Sequence, residues 1–226
     1  YDYLDALRGI AIIGVLLTHT RLYGTNHYPY SFQSILDHGT LGVQLFFIIS
    51  AVVLCFSFDR KKDLVNFYLR RFFRIAPAFY LALVIYLLLL KPTDHFWLAP
   101  YFPITQVNVI TTFLFAHGLS PYWVNSIFPG AWSIAVEMTF YLFFPFIFYR
   151  LNSLKKALWF CLLTTLLVQF IFLILKRFLP ITDHNLWYNY LYYSFLYQLP
   201  VFLIGFVLYH SLKSPKSITK NDRLII

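Results

Sequence analysis

Charge is what this sequence has least of. Only 12% of its 226 residues are Asp, Glu, Lys or Arg, half of the roughly 25% that a soluble globular domain carries. That scarcity, together with long uncharged apolar runs, excludes a water-soluble domain and a disordered chain alike. Nothing in it has the periodic or biased composition of a collagen-like or low-complexity chain. Cysteine is also scarce. Cys55 and Cys161 both lie inside apolar runs, where they read as small buried residues rather than as a disulfide or a metal pair. There is no glycine-rich phosphate loop, no Gly-x-Ser-x-Gly elbow and no zinc-type histidine spacing. His27, His38, His95, His117, His184 and His210 are scattered along the chain, and no metal site is expected.

What is present points to a lipid environment. Hydrophobic residues make up 60% of the chain, with 26 Phe, 18 Tyr and 5 Trp. This is the profile of an all-α, polytopic transmembrane bundle. The 18 basic residues against 9 acidic ones give a net charge of +9. In a membrane protein such an excess gathers in cytoplasmic loops. No basic stripe with exposed aromatics marks a soluble nucleic-acid face, so nucleic acid is not an expected partner.

A helix needs about 20 mostly apolar residues to cross the hydrocarbon core. Six runs qualify as expected spans: residues 4–22, 41–58, 72–90, 131–149, 157–175 and 186–209. The first carries Arg8 and His19 and has no small-residue cleavage site, so it is not a cleaved signal peptide. A shorter apolar stretch, residues 107–119, decides the topology. The connection at residues 59–66 holds Arg60, Lys61 and Lys62, with Arg70, Arg71 and Arg74 following, and is expected to be cytoplasmic. If the short stretch does not cross, Arg150, Lys155 and Lys156 fall on that same side, as do Lys213, Lys216, Lys220 and Arg223. We therefore expect about six spans, both ends cytoplasmic, and a re-entrant or interfacial segment at 107–119. Irregular backbone at membrane depth must be buried in protein or line a wet cavity, so the connection 91–130 is expected to contribute to the site. No internal repeat of the inverted-transporter kind is visible. Tyr1 in place of Met, and an apolar run opening at residues 223–226, lead us to expect a single domain over 1–226, truncated at both ends.

Ionisable residues inside a span are costly and call for a reason. Arg8 and His19 are eleven residues apart. Eleven helical steps return to nearly the same face, with a rise of about 16 Å. Snorkelling of Arg8 and a simple inter-helix hydrogen bond for His19 are the bland explanations. Their shared face favours a functional one. Arg71 and Arg74 are one turn apart at the expected start of the third span, where they serve either as positive-inside anchors or as planar donors for phosphate groups. A phosphorylated cytosolic donor such as coenzyme A suits the second role. Glu137 lies in the middle of its span, and Ser133, Glu137 and Tyr141 recur every four residues on one face. A carboxyl facing lipid is unfavourable, so Glu137 is expected to face His19 or an arginine. Trp132 reads as an aromatic-belt anchor or as part of the site.

The same residues carry a resemblance. Leu4-Asp5-Ala6-Leu7-Arg8-Gly9-Ile10-Ala11, ending at His19, resembles the opening of the acyltransferase 3 family of bacterial membrane O-acyltransferases, whose Arg-x10-His pattern falls on Arg8 and His19. Gly42-Val43-Gln44-Leu45-Phe46-Phe47-Ile48-Ile49-Ser50 resembles its second-span motif, with Ala51 where Gly is usual. Arg71-Phe72-Phe73-Arg74-Ile75-Ala76-Pro77 is similar to its Arg-x-x-Arg segment. Trp132-Ser133 with Glu137, Phe140-Tyr141 and Pro145 resembles a further element, and Leu199-Pro200-Val201-Phe202 with Gly205 a later one.

The family usually has ten spans, so the resemblance implies that about four are absent from this chain. It also implies transfer of an acyl group, commonly acetyl from acetyl-CoA as a donor substrate rather than a bound cofactor, to a surface carbohydrate, antibiotic or related acceptor. The place implied is a bacterial plasma membrane. On this reading His19, Glu137 and Arg8 are catalytic, with His19 either a general base or an acyl relay. Arg71, Arg74 and Arg8 bind the donor, and Trp132, Ser133 and Tyr141 lie toward the acceptor. The partners are acyl-CoA, a glycan or lipid-linked glycan, and membrane lipid. A transporter or flippase of a glycan or lipid intermediate is the main rival, and a non-catalytic assembly or sensory protein the second.

Overall fold

The computed structural model describes residues 2–23, 38–91, 94, 103–178 and 184–213. His27, His95, Lys216, Lys220 and Arg223 lie outside these residues, as does the side chain of His184. Long helices dominate: α1 (Asp2–Tyr23), α2 (Gly42–Lys61), α3 (Leu64–Ile85, continued by a π-helical turn over Tyr86–Leu90), a short α4 (Gln106–Phe113), α5 (Ala131–Arg150), α6 (Leu154–Phe178), α7 (His184–Tyr193) and α8 (Phe195–Lys213). The only β-feature among the described residues is one bridge between Asp94 and Pro103.

Five segments are long and apolar enough to cross a membrane: Gly39–Lys61, Leu64–Leu90, Ala131–Arg150, Leu154–Phe178 and Leu186–Lys213. The first expected span, α1, has 22 residues, about 33 Å of helix. Its length suffices to cross, though it is not among those five segments.

Two boundaries differ from those expected. The third span begins at Leu64 rather than at residue 72, because Asp63 caps the helix by accepting the Asn66 N–H at 3.1 Å. Arg71 and Arg74 are thus about two turns inside α3, and the expected loop at 59–66 shrinks to Lys62 and Asp63, with Lys62 left-handed at φ 47°. The last span is broken. α7 ends at Tyr193, and Ser194 separates it from α8, accepting the Tyr197 N–H on its hydroxyl at 3.3 Å. Both segments are apolar, so no change in hydropathy marks the break.

The stretch 107–119 does not cross. α4 has eight residues, about 12 Å of helix. Thr105 and Asn108 close it with a reciprocal capping box. The chain then turns through Phe115, at φ 58°, into a 3-10 turn over His117–Leu119. Tyr80 of α3 donates to the Phe113 carbonyl at 3.0 Å, and Asn108 to that of Tyr122 at 3.1 Å. A small core of Phe79, Leu83, Ile127, Phe128 and Ala131 holds the connection against α3 and α5.

The main core is aromatic. Phe140 of α5 stacks on Phe202 of α8 with centroids 3.9 Å apart, and Phe202 stacks on Phe47 of α2 at 4.5 Å. Gly205 lets α8 approach α2: a Cβ there would lie 2.5 Å from the Ala51 Cβ and 2.7 Å from the Ile48 carbonyl oxygen. Gly42 does the same for α1, where a Cβ would meet the Ala11 carbonyl oxygen at 2.3 Å. Without a hydrophobic drive between helices in lipid, such small-residue crossings supply the packing. Cys55 is buried and Cys161 half-buried, and both are free thiols. Lys61, Arg150, Lys155 and Lys213 collect at one end of the bundle, where Lys213 pairs with Asp59 and His210 Nε2 donates to the Leu151 carbonyl at 2.6 Å. The connection 103–130 packs at the other end.

Candidate active site

Arg8 is buried, 7% exposed, where α1 crosses α2. One guanidinium nitrogen donates to Ser50 Oγ at 3.3 Å, another reaches Asp5 at 3.4 Å, and the group lies 5.8 Å from the centre of the Phe46 ring. It therefore does not snorkel. Ser50, part of the second-span motif, had not been singled out as its partner. A hydroxyl within an apolar run is the one signal that marks it.

His19, half-buried, is one turn from the end of α1. Its Nδ1 lies 2.8 Å from the Val15 carbonyl oxygen. A carbonyl only accepts, so a proton is on Nδ1, and in the neutral ring Nε2 carries the lone pair, the tautomer a base or nucleophile requires. Between Arg8 and His19, the α1 residues Ala11, Ile12, Val15 and Leu16 line a cavity of about 240 Å³. They recur at helical spacing and form one stripe joining the two groups. Phe46 and Phe47 of α2 line the same cavity, and α5 contributes Ser133, Ile134 and Glu137.

Glu137 is 5% exposed. Its carboxylate accepts a hydrogen bond from the Tyr141 hydroxyl one turn on. Arg74, Arg8 and Arg71 all act electrostatically on it. Of the two partners expected, the arginines are the ones that act on it, and the His19 imidazole bonds to the Val15 carbonyl. Arg71 is half-buried, its guanidinium 5.9 Å from the Phe67 ring centre and 6.0 Å from that of Tyr141. Arg74 is exposed. The fold thus brings the three arginines within electrostatic range of one carboxylate, with Arg8 and Arg71 each retaining a buried Nε–H that has no hydrogen-bond partner among the described residues.

The acceptor-side trio is arranged differently from expectation. Trp132 is not an interfacial anchor. It is 7% exposed and packs on Phe47, Tyr192 and Tyr193, with ring centres 6.3, 5.6 and 4.7 Å away. Ser133 gives its hydroxyl proton to the Gly130 carbonyl at 2.8 Å, bracing the start of α5, so it offers the cavity lone pairs rather than a donor. Tyr141 donates to Glu137, and its ring centre lies 6.0 Å from the Arg71 guanidinium. His117 is fully buried, with Nε2 donating to the Ala131 carbonyl at 2.9 Å and its ring stacked 5.9 Å from Phe79. Burial pushes its imidazole below the usual histidine range, against the opposing effect of the hydrogen bond to Ala131.

A buried carboxylate within electrostatic range of three arginines, on a cavity lined by the α1 face that runs on toward His19, is an arrangement for handling an anionic donor and a proton. A family model described as the acyltransferase domain matches residues 1–226. The chain belongs to this acyltransferase family. It is 29% identical over 166 residues to a Staphylococcus aureus (strain COL) protein named "Putative O-acetyltransferase", which covers 68% of this chain and 26% of the relative. It is 30% identical over 156 residues to an Acidianus two-tailed virus protein named "Putative acetyltransferase ORF330" (67% of this chain, 42% of the relative). With Acyltransferase MdmB of Streptomyces mycarofaciens it shares 28% identity over 172 residues (70% and 42%). The matched regions cover 26% to 42% of the length of these relatives. No solved structure matches.

Proposed function

We infer that the protein is a membrane O-acyltransferase that moves an acyl group from cytosolic acyl-CoA to a hydroxyl of a cell-surface carbohydrate or related acceptor. The observation that carries this reading is that Arg8, Arg71 and Arg74 all act electrostatically on the buried Glu137, with His19 on the same stripe of α1 as Arg8. The basic end of the bundle faces the cytosol on this reading. Donor phosphates dock on Arg71 and Arg74, the planar forks best suited to phosphate oxygens. Glu137, bonded by Tyr141, offsets the charge of the guanidinium groups through space.

Chemistry occurs at His19. Its Nε2 takes the proton of the acceptor hydroxyl as the oxygen attacks the thioester carbonyl. A C–O bond forms and the C–S bond breaks. Coenzyme A leaves as thiolate and collects the proton from the imidazolium. In the relay form of the same chemistry, Nε2 attacks first and carries the acyl group to the acceptor.

The test is transfer of labelled acetyl from acetyl-CoA to endogenous acceptors in membranes carrying the full-length protein. Transfer lost in His19→Gln at equal protein level supports the reading. Transfer retained places the base elsewhere. Label on His19 itself that is trapped without acceptor and released by hydroxylamine identifies the relay form.

A further inference from the structure

Where α2 turns into α3 at the basic end of the bundle, a small cleft opens between the two helices. Ser57, Phe58 and Lys61 line it from α2, Lys62 and Asp63 from the turn, and Phe67, Arg70 and Arg71 from α3. Unlike the cavity along α1, its lining is mostly polar. Phe58 and Phe67 are buried and pack edge to face, ring centres 5.4 Å apart, which gives the cleft a fixed floor. Four of its lining residues are cations. The acid among them, Asp63, is already committed. One of its carboxylate oxygens accepts the Asn66 N–H and the other the Asn66 side-chain amide. Arg70 spends only Nε, on the Asn66 carbonyl at 3.0 Å. The Lys61 ammonium has no hydrogen-bond or ion-pair partner among the described residues. Arg71 lines the cleft and also lies against the Tyr141 ring, so the cleft adjoins the residues around Glu137.

We propose that this cleft binds the 3′-phosphate of coenzyme A. The inference rests on the acyl-CoA reading above and adds a second phosphate subsite to it. Coenzyme A carries two separate phosphate groups, a diphosphate within its arm and a monoester on its ribose. With the diphosphate at Arg71 and Arg74, the monoester needs cations of its own. It carries a charge of about −1.5 to −2 at neutral pH and three strong acceptor oxygens. Lys61 supplies a point charge, the free end of Arg70 a planar pair of donors, and the Ser57 hydroxyl one more donor.

The experiment is equilibrium binding of coenzyme A and of 3′-dephospho-coenzyme A to the full-length protein in phosphatidylcholine nanodiscs, whose headgroups carry no net charge. Coenzyme A is expected to bind on the order of tenfold more tightly, the scale of a charge-assisted hydrogen bond. Arg70→Gln reduces that preference to below about threefold. Arg60→Gln removes the same charge from the same end of the bundle but outside the cleft, and keeps the preference. If Arg70→Gln does not accumulate, Lys61→Gln takes its place. Equal affinity of the unaltered protein for both compounds overturns the subsite while leaving the donor reading intact, and is the outcome expected if these cations only anchor the bundle at the bilayer surface. An equal loss of preference in Arg60→Gln and Arg70→Gln also overturns it, in favour of a diffuse positive field. Absence of binding for both compounds overturns the donor reading itself.

Discussion

At the scale of single residues, the site depends on where protons are already committed. His19 has one nitrogen engaged by the Val15 carbonyl, so only Nε2 is free to act. Gln keeps a similar size and hydrogen-bonding capacity but is no base. His19→Gln is expected to accumulate normally and to lose transfer by about a hundredfold or more, the scale of a general base. Transfer normalised to folded protein in membranes checks this. Arg71→Lys keeps the charge and loses the planar fork that sits beside Phe67 and Tyr141. The expected result is weaker binding of acyl-CoA with unchanged insertion, measured by donor titration. Identical affinity in the Lys variant would reduce Arg71 to an anchor. Side-chain commitments of this kind were the least legible part of the sequence. The spacing of Ser133, Glu137 and Tyr141 placed them on one face. It did not show that Ser133 spends its proton on Gly130, or that Tyr141 spends its own on Glu137. Such choices depend on the tertiary surroundings of each hydroxyl.

Elements were read with more success where hydropathy and charge agree. The apolar runs behind α2, α5 and α6 stand between charged turns, and the structure keeps them within a few residues. The start of α3 was missed because Arg70 and Arg71 look like a boundary, whereas the capping Asp63 starts the helix about two turns earlier. The Ser194 break escaped notice because both flanking pieces are equally apolar. Close helix crossings give a sharp test. A side chain at position 205 must displace Ala51 or the Ile48 carbonyl. Gly205→Val is expected to cost on the order of 1–3 kcal/mol through overpacking, read as a lower melting temperature in detergent. The connection around His117 gives a pH test. Its imidazole is held below the usual histidine range by burial, so the unfolded connection binds the proton more readily than the folded one. Stability is therefore present at neutral pH. It falls as pH drops through about 6.5, the ordinary value, toward the depressed folded one. Amides of residues 115–131 should exchange faster at pH 5 than at pH 7.5 after correction for intrinsic rates. His117→Gln should flatten that dependence.

For the whole molecule, sidedness follows from where the charges collect. Lys61, Arg150, Lys155 and Lys213 share one end of the bundle, and the connection 103–130 packs at the other. Cysteines introduced near Arg60 and Lys155 should resist an impermeant external thiol reagent in intact cells, while one near Tyr122 should react. External labelling at position 155 would reverse the assigned orientation or add a crossing.

The pairing of α2 with α8 has a bearing on how the protein is made. The hydrogen bond that ties Lys213 to Asp59 joins residues 154 positions apart, and the stack of Phe47 on Phe202 closes the same gap. A ribosome delivers α2 long before α8 exists. The face bearing Phe47, Ala51 and Leu54 must therefore wait in the bilayer, covered by lipid or by an insertion factor, until the later helix emerges. Contacts so distant in sequence form late, and exposed apolar surfaces invite wrong partners in the interval. Nascent chains stalled before Phe195 should remain bound to the insertion machinery, and release should coincide with synthesis of α8.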